Sequence, residues 1–400
     1  MPGKSILKSE ADLKSSARAG ILRYGLAACS TRMIAEAAHT TPSAINYAFG
    51  GVKHLFGSVF SDAIGETRAL LNGLDDEADL WPADRAFLAH ALQGVIEQWV
   101  TAARDLALLY QQALAHREIA PAEVDAWSRL WADYFGRLAS RHGATHDQGA
   151  LMNLLFQSEA LFALSAWRPI LERAALRDIV GHFTAVWLCG EPYRPSGALA
   201  VAEEAVRSPT DVPLEGPSFA MMMASVDVVA ELGLAGLTHR AVATRCGVTA
   251  GAVAHYFRSA ADLLAAAIRG QVVTLQLQGG PASRLTGVAS RRELADVLVA
   301  GSLSPQAVAT VRARRSLFLA SLGDPNHSQS GAVVRYAAGA TTRTAIRAAL
   351  PEDPLTDLHA SVLSRLLSAL RVAAPFADAS PIDAQALAAS ALTPFVDAVG

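Results

Sequence analysis

An all-α protein made of two tandem helical units is the fold class this sequence predicts, on three observations. Apolar residues make up 52% of the 400-residue chain and charged residues 18%, which supplies a sizeable core and argues against disorder. Alanine and leucine are abundant and β-branched runs bounded by Gly or Asn are scarce, which favours helix over strand. The third observation is a self-match. Residues 30–49, STRMIAEAAHTTPSAINYAF, align with residues 238–257, THRAVATRCGVTAGAVAHYF, at an offset of 208 positions, ungapped from Ile21/Val229 to Leu55/Leu263. Identical pairs include Gly25/Gly233, Leu26/Leu234, Arg32/Arg240, Ala35/Ala243, Thr41/Thr249, Ala44/Ala252 and Phe49/Phe257. So long a match points to tandem duplication, in a chain longer than one core usually serves.

Each unit is expected to open on a three-helix head and to continue as a helical bundle. The boundaries read from the sequence are head 1 over 1–56, regulatory domain 1 over 57–190, a linker over 191–216, head 2 over 217–264 and regulatory domain 2 over 265–400. The linker assignment rests on the Pro-, Gly- and acid-rich stretch GEPYRPSGALAVAEEAVRSPTDVPLEGPS, with a short helix expected over Ala198–Val206.

The net charge is −3, so a nucleic-acid surface must be local. The first 60 residues supply one, with Lys4, Lys8, Lys14, Arg18, Arg23, Arg32 and Lys53 against Glu10, Asp12 and Glu36. Cys29, Cys189 and Cys246 are odd in number and far apart, which argues against a disulfide framework or a zinc site and for a reducing compartment. The N-terminal residues lack the apolar core of a secretory signal, and no stretch of eighteen apolar residues occurs. A cytoplasmic chain with no membrane partner is expected.

In the second unit, Val226, Val229 and Ala230 fall at helical spacing before Gly233 and Gly236. Thr238 is an N-cap for a short helix whose inward face is Val242, Ala243 and Cys246. Gly247 supplies a left-handed turn residue, and Thr249 caps a helix over 250–256 that buries Ala252, Val253 and Tyr256 or Phe257. Two short helices joined by such a turn form a helix-turn-helix, whose second helix enters a major groove by its N-terminal end.

This stretch resembles the DNA-binding head of the TetR (tetracycline-repressor) family. The family pattern T-x-R-x-I/V-A-x-x-A/C-G-V-S/T-x-G-x-L/V-x-H/Y-H/Y-F is met by Thr238, Arg240, Val242, Ala243, Cys246, Gly247, Val248, Thr249, Gly251, Val253, His255, Tyr256 and Phe257. The first unit matches at Arg32, Ile34, Ala35, Ala38, Thr41, Ile45, Tyr47 and Phe49. It departs at Ala48, where an aromatic is expected, and at His39, where the turn Gly is expected. His is among the side chains better tolerated at positive φ. The resemblance implies a bacterial, ligand-responsive transcriptional regulator, normally a repressor, that acts as a homodimer on a double-stranded DNA operator. Here the two units of one chain are expected to pair as a covalent pseudo-dimer, with a homodimer of chains as the alternative.

The residues expected at DNA follow from these positions. In head 1 they are Pro42, Ser43, Asn46 and Tyr47 on the recognition helix, with Arg32, Thr41, Lys53 and His54 around it. Asn pairs bidentately with adenine, whereas Thr, Lys and Arg more often hold phosphates. In head 2 they are Ala250, Gly251, Ala254 and His255, with Arg240, Thr249, Tyr256 and Arg258. The two heads are therefore expected to read different half-sites.

All six tryptophans lie in the first unit. An aromatic pocket near Trp99, Tyr110, Trp127 and Trp131, taking a small apolar or aromatic effector, is one reading, and ordinary bundle filling is the other. Trp187 and Phe183 read as interface residues. His142 and His146 are four apart, but Gly143 between them favours a loop over a metal site. Met221–Met223 read as core. No G-x-S-x-G, P-loop, H-E-x-x-H or G-x-G-x-x-G occurs, so neither an enzyme nor a cofactor is expected. The alternative function is a helical interaction or ligand-sensing protein whose heads have lost DNA affinity.

Overall fold

Amphipathic spacing sets the elements from the first one onwards. In the helix Gly3–Tyr24 (α1), Leu13, Ala17 and Ile21 recur every fourth residue and are all buried. The computed structural model describes residues 3–206, 215–277, 288, 290–322, 328–336, 339–352, 357–373 and 384–397, and every regular element among them is helical. Residues 207–214 of the expected linker, and parts of the expected regulatory domain 265–400, lie outside the described residues.

Contacts divide the chain into two bodies. The smaller comprises residues 1–82 and 98–138, the larger 83–97 and 139–400. In the smaller body α1 is followed by a 3-10 turn Leu26–Ala28, then α2 (Thr31–Ala37), α3 (Pro42–Phe49) and the long α4 (Val52–Ala78). α1 packs on α2 and α4, and Ile34, Ala35, Ile45, Leu55 and Phe60 complete the buried core. α5 (Leu88–Thr101) contributes its last turn, and α6 (Arg104–Ala115) and α7 (Pro121–Arg141) close the body, with α6 seated on both α1 and α4.

In the larger body α8 (His146–Phe162) starts on a Thr145/Gln148 capping box, and α9 (Pro169–Phe183) runs on into a π-helical turn, Thr184–Cys189. α10 is Ala198–Val206, as the sequence leads one to expect. It is no free linker. Leu199, Ala202 and Val206 are buried, and the Asp178 carboxylate accepts bonds from the Ser196 amide (2.7 Å) and hydroxyl (3.0 Å). The segment from Glu191 to Val206 is thus pinned to α9.

The second head follows as α11 (Pro217–Leu232), a 3-10 turn Leu234–Gly236, α12 (His239–Cys246), α13 (Ala250–Tyr256) and α14 (Ala260–Leu277). The 3-10 turns and the starts of α2/α12, α3/α13 and α4/α14 all stand 208 positions apart. Beyond lie α15 (Arg291–Ser302), α16 (Pro305–Ser321), α17 (Ser328–Tyr336), α18 (Ala340–Ala349), α19 (Asp357–Ala373) and α20 (Ala384–Asp397). α8 packs on α19 and α20, and α9 on α19, around Leu155, Phe156, Val362, Leu363 and Leu366.

This division crosses the expected domain 57–190. Its residues 139–190 group with the second half of the chain because α8 and α9 bury their apolar faces on α19 and α20. Residues 83–97 go with them, Arg85 donating to the Leu188 carbonyl and Glu97 pairing with Arg173. Trp187 belongs to that contact, its indole N–H donating to the Ala391 carbonyl at 2.8 Å.

Candidate nucleic-acid interface

Head 2 forms through a set of caps and one turn. The Thr238 hydroxyl accepts from the Ala241 amide at 3.1 Å, and the Thr249 hydroxyl from the Ala252 amide at 3.2 Å, starting α12 and α13. Gly247 sits at φ 68°, a left-handed conformation that reverses the chain between them. Val242, Ala243, Val253, Phe257 and Leu263 pack with Met221 and Met222 beneath the turn, and Cys246 is half-buried at its edge. The His239 ring donates from Nε2 to the Phe257 carbonyl at 2.6 Å and so ties the end of α13 back to α12. Ser259 and Asp262 cap α14 reciprocally, at 2.9 and 3.1 Å, and hydrogen bonding from the Ser259 side chain and amide holds the Asp262 carboxyl below its ordinary pKa.

This architecture leaves one face of α13 free. Ala250, Gly251, Ala254 and His255 are exposed, and Tyr256, read as a DNA contact and as one of two alternatives for the inward aromatic, is 46% exposed beside the His255 ring. Phe257 is the aromatic that packs inward. Arg240 and Arg258 are exposed flanking cations. Arg245 is spent otherwise, bridging Glu231 (2.6 Å) and Asp227 (3.2 Å) on α11.

Residues 222–267 match the family model described as bacterial regulatory proteins, tetR family. The match supports a DNA-binding regulator. It runs from within α11 to within α14 and takes in the whole tetR-type helix-turn-helix. No curated protein matches the chain.

Head 1 repeats the tetR-type geometry with different chemistry. Its turn residue is His39 at φ 52°, the one non-glycine with positive φ among the described residues. The Thr40 amide donates to the Ala35 carbonyl at 2.9 Å, as the Val248 amide does to Ala243 at 3.0 Å. Ser30 caps α2, accepting from the Met33 amide at 3.3 Å. Thr41 does not cap α3 with its side chain. Its hydroxyl meets that of Ser43 at 2.8 Å, and Pro42 supplies the first helical residue.

Pro42, Ser43, Asn46 and Tyr47 are exposed along one side of α3, Tyr47 at 83%. Lys53 and His54 are exposed in the first turn of α4. The cationic cluster is smaller than the residue count implies. Lys14 pairs with Asp62 at 2.5 Å, Arg18 pairs with Glu66, and Arg32 pairs with Glu36 at 2.8 Å. The Arg32 pair is largely solvent-exposed and is worth little by itself, so a phosphate can replace the carboxylate. At the position matching Glu36, head 2 has Thr244, so Arg240 has no acid one turn on.

The aromatic group of the first half is wholly internal. Trp99, Tyr110, Trp127 and Trp131 are buried, with ring centroids 4.9 Å apart for Trp99/Trp131 and 5.0 Å for Tyr110/Trp127. The Trp127 indole donates to the Thr67 hydroxyl at 3.0 Å. Trp99 Nε1 and both side-chain polar atoms of Gln111 are buried without a hydrogen-bond partner. Next to Gln111, Gln112 accepts from the Leu26 amide at 3.1 Å, joining α6 to the turn that follows α1.

A small half-open cleft lies in the larger body. Gln157, Arg314, Arg315, Phe162 and Phe318 are among its lining. His142 is buried at the end of α7 and His146 begins α8, with Gly143 at φ 68° between them. No group of three metal-ligating side chains, and no helix long and apolar enough to cross a membrane, occurs among the described residues.

Proposed function

We propose that this chain is a cytoplasmic bacterial repressor, produced by tandem duplication, in which both heads bind one double-stranded operator as an intramolecular pseudo-dimer. The observation that carries the reading is the 208-residue repeat of helix starts combined with unlike exposed faces on α3 and α13. Asn46 reads an adenine edge and Ser43 a second base, while Ala250, Gly251 and Ala254 admit close backbone approach and favour thymine methyl contact. Thr41, Tyr47, Lys53 and His54 in one head hold phosphates, as do Arg240, Thr249, Tyr256 and Arg258 in the other. Packing of α8 and α9 on α19 and α20 supports pairing within the chain.

Control by an effector is the second part of the proposal. A small aromatic ligand with a polar edge, entering near Trp99, Tyr110, Trp127 and Trp131, would satisfy Trp99 Nε1 and Gln111, whose burial without partners is costly. Displacement of α6 would then reach head 1 through Gln112 and Leu26.

Selection of bound DNA from a random pool at fixed salt tests the reading. An operator with two unlike half-sites about one helical turn apart is expected, and Asn46→Ala should relax one half alone. A palindrome bound by two chains through like heads would refute single-chain pairing. The chemically plain face of α13 favours the other reading, a ligand-sensing interaction protein without DNA affinity. That reading predicts no enrichment at all.

A further inference from the structure

The seam between α8–α10 and α17–α19 carries charges where apolar side chains would be expected. Glu159 on α8 is fully buried and accepts from Arg335 on α17 at 3.2 Å and from Arg365 on α19. Glu172, in the first turn of α9, accepts from Arg335 at 3.4 Å, while its other oxygen takes the Trp167 and Arg168 amides at 2.9 and 3.1 Å. Glu203 on α10 accepts from Arg343 on α18 at 3.0 Å and from the Ser361 hydroxyl on α19 at 3.1 Å. Burial pushes the Glu159 pKa up, but Arg365 and Arg335 outweigh it and hold the carboxyl below its ordinary value.

These charges are sorted by sequence. All three acids precede residue 207 and all three arginines follow residue 327. A twofold pair of identical units places the same residue on both sides of the axis, so an acid–arginine contact appears twice, once in each direction. Here the buried charges of each side carry a single sign, and the one acid beside the arginines among the described residues, Asp357 at 3.5 Å from Arg343, is half-exposed. Pairing two first-half surfaces would oppose three glutamates with no cation, and pairing two second-half surfaces would oppose three arginines. Buried charge without a partner is far more costly than an exposed one.

We propose that Glu159, Glu172 and Glu203 with Arg335, Arg343 and Arg365 form a pairing code that lets a first-half surface join only a second-half surface. The inference rests on the reading above that these helices pair the two halves. Every assembly of the chain then presents one head of each kind together, and like heads are never paired through this seam.

The test uses full-length chains. Glu159→Arg and Arg365→Glu are made separately, together in one chain, and co-expressed as two chains. Mass is read by size exclusion with light scattering, and the thermal midpoint is measured alongside. Each single variant should lose the wild-type species, because like charges then meet in the seam. The double variant should regain it in part, with a midpoint above both singles, since Arg335 still faces the arginine introduced on α8. The co-expressed singles should form a two-chain complex at twice the 42.0 kDa chain mass. In that complex one seam joins the arginine introduced on α8 of one chain to the glutamate introduced on α19 of the other. If neither single is soluble alone, recovery in the double and co-expressed samples still supports the code, and failure to recover overturns it. Singles that match the wild type in mass and midpoint overturn it as well. A wild-type chain found as a two-chain assembly would refute pairing within the chain and leave the code standing, since exchanged halves still set acid against arginine.

Discussion

Gly251 offers a test in which stability and function should move in opposite directions. It is the second residue of α13, is exposed, and is not among the glycines with positive φ. A Cβ built there meets nothing closer than the Thr249 hydroxyl at 3.9 Å. The head's own packing therefore gives no reason for glycine, which costs a helix interior roughly 0.5–1 kcal/mol relative to alanine. In a first turn the lower end applies, so Gly251→Ala should stabilise the head by about 0.5 kcal/mol. Hydrogen exchange of α12 and α13 amides should slow about twofold. If α13 lies in a groove, the added methyl stands between backbone and base edges and should cost about 1–3 kcal/mol of binding, roughly ten- to two-hundredfold. Fluorescence anisotropy with a labelled operator at fixed salt measures this. Slower exchange with unchanged affinity would remove α13 from the DNA, and faster exchange would contradict the open space around Gly251.

Three further outcomes are expected. His39→Gly relieves a left-handed histidine and should raise the smaller body's unfolding midpoint by up to about 1 kcal/mol in stability, followed by tryptophan emission; a lower midpoint would show that the imidazole holds a contact of its own. Lys53→Ala and Arg258→Ala should each make the log–log salt dependence of binding shallower by about 0.9, and an unchanged slope would mean that neither touches phosphate. His182 is buried with both ring nitrogens unpartnered, and burial pushes its pKa from 6.5 down to about 4. The unfolded chain therefore takes up a proton first, so stability is intact above about pH 6.5 and is lost as pH falls toward 4, by at most about 3 kcal/mol. His182→Phe, which retains rings against Trp187 and Tyr193, should flatten that loss between pH 7 and 4; an identical pH profile in the variant would show that His182 is not its source.

Local chemistry was legible in the sequence. Thr238, Gly247 and Thr249 act over three or four residues, so their roles as caps and turn follow from spacing alone, and His39 adopts the positive φ its position demands. The α10 helix was readable for the same reason, but its burial was not, because Asp178 and α17 lie far along the chain. The loss of Lys14 and Arg18 to Asp62 and Glu66 is a contact across 48 residues that no residue count reveals. The seam was signalled only faintly, by single charges on otherwise apolar stretches: Glu159 in LFQSEALFA and Arg365 in VLSRLLSAL. Nothing in either stretch says which charge meets which, since 206 residues separate them.

The place of α10 bears on how such a chain could be divided into separate genes. It follows the Pro-containing segment after α9, yet it delivers Glu203 to Arg343 and Ser361. A fission at residue 190 would carry Glu203 away with the arginines and leave the upstream product short of one acid. A fission just after Val206 would give one product all three seam glutamates and the other all three arginines. Two such polypeptides would depend on each other's synthesis, each holding counter-ions the other lacks. Translation as a single chain removes that dependence by fixing their stoichiometry at one to one.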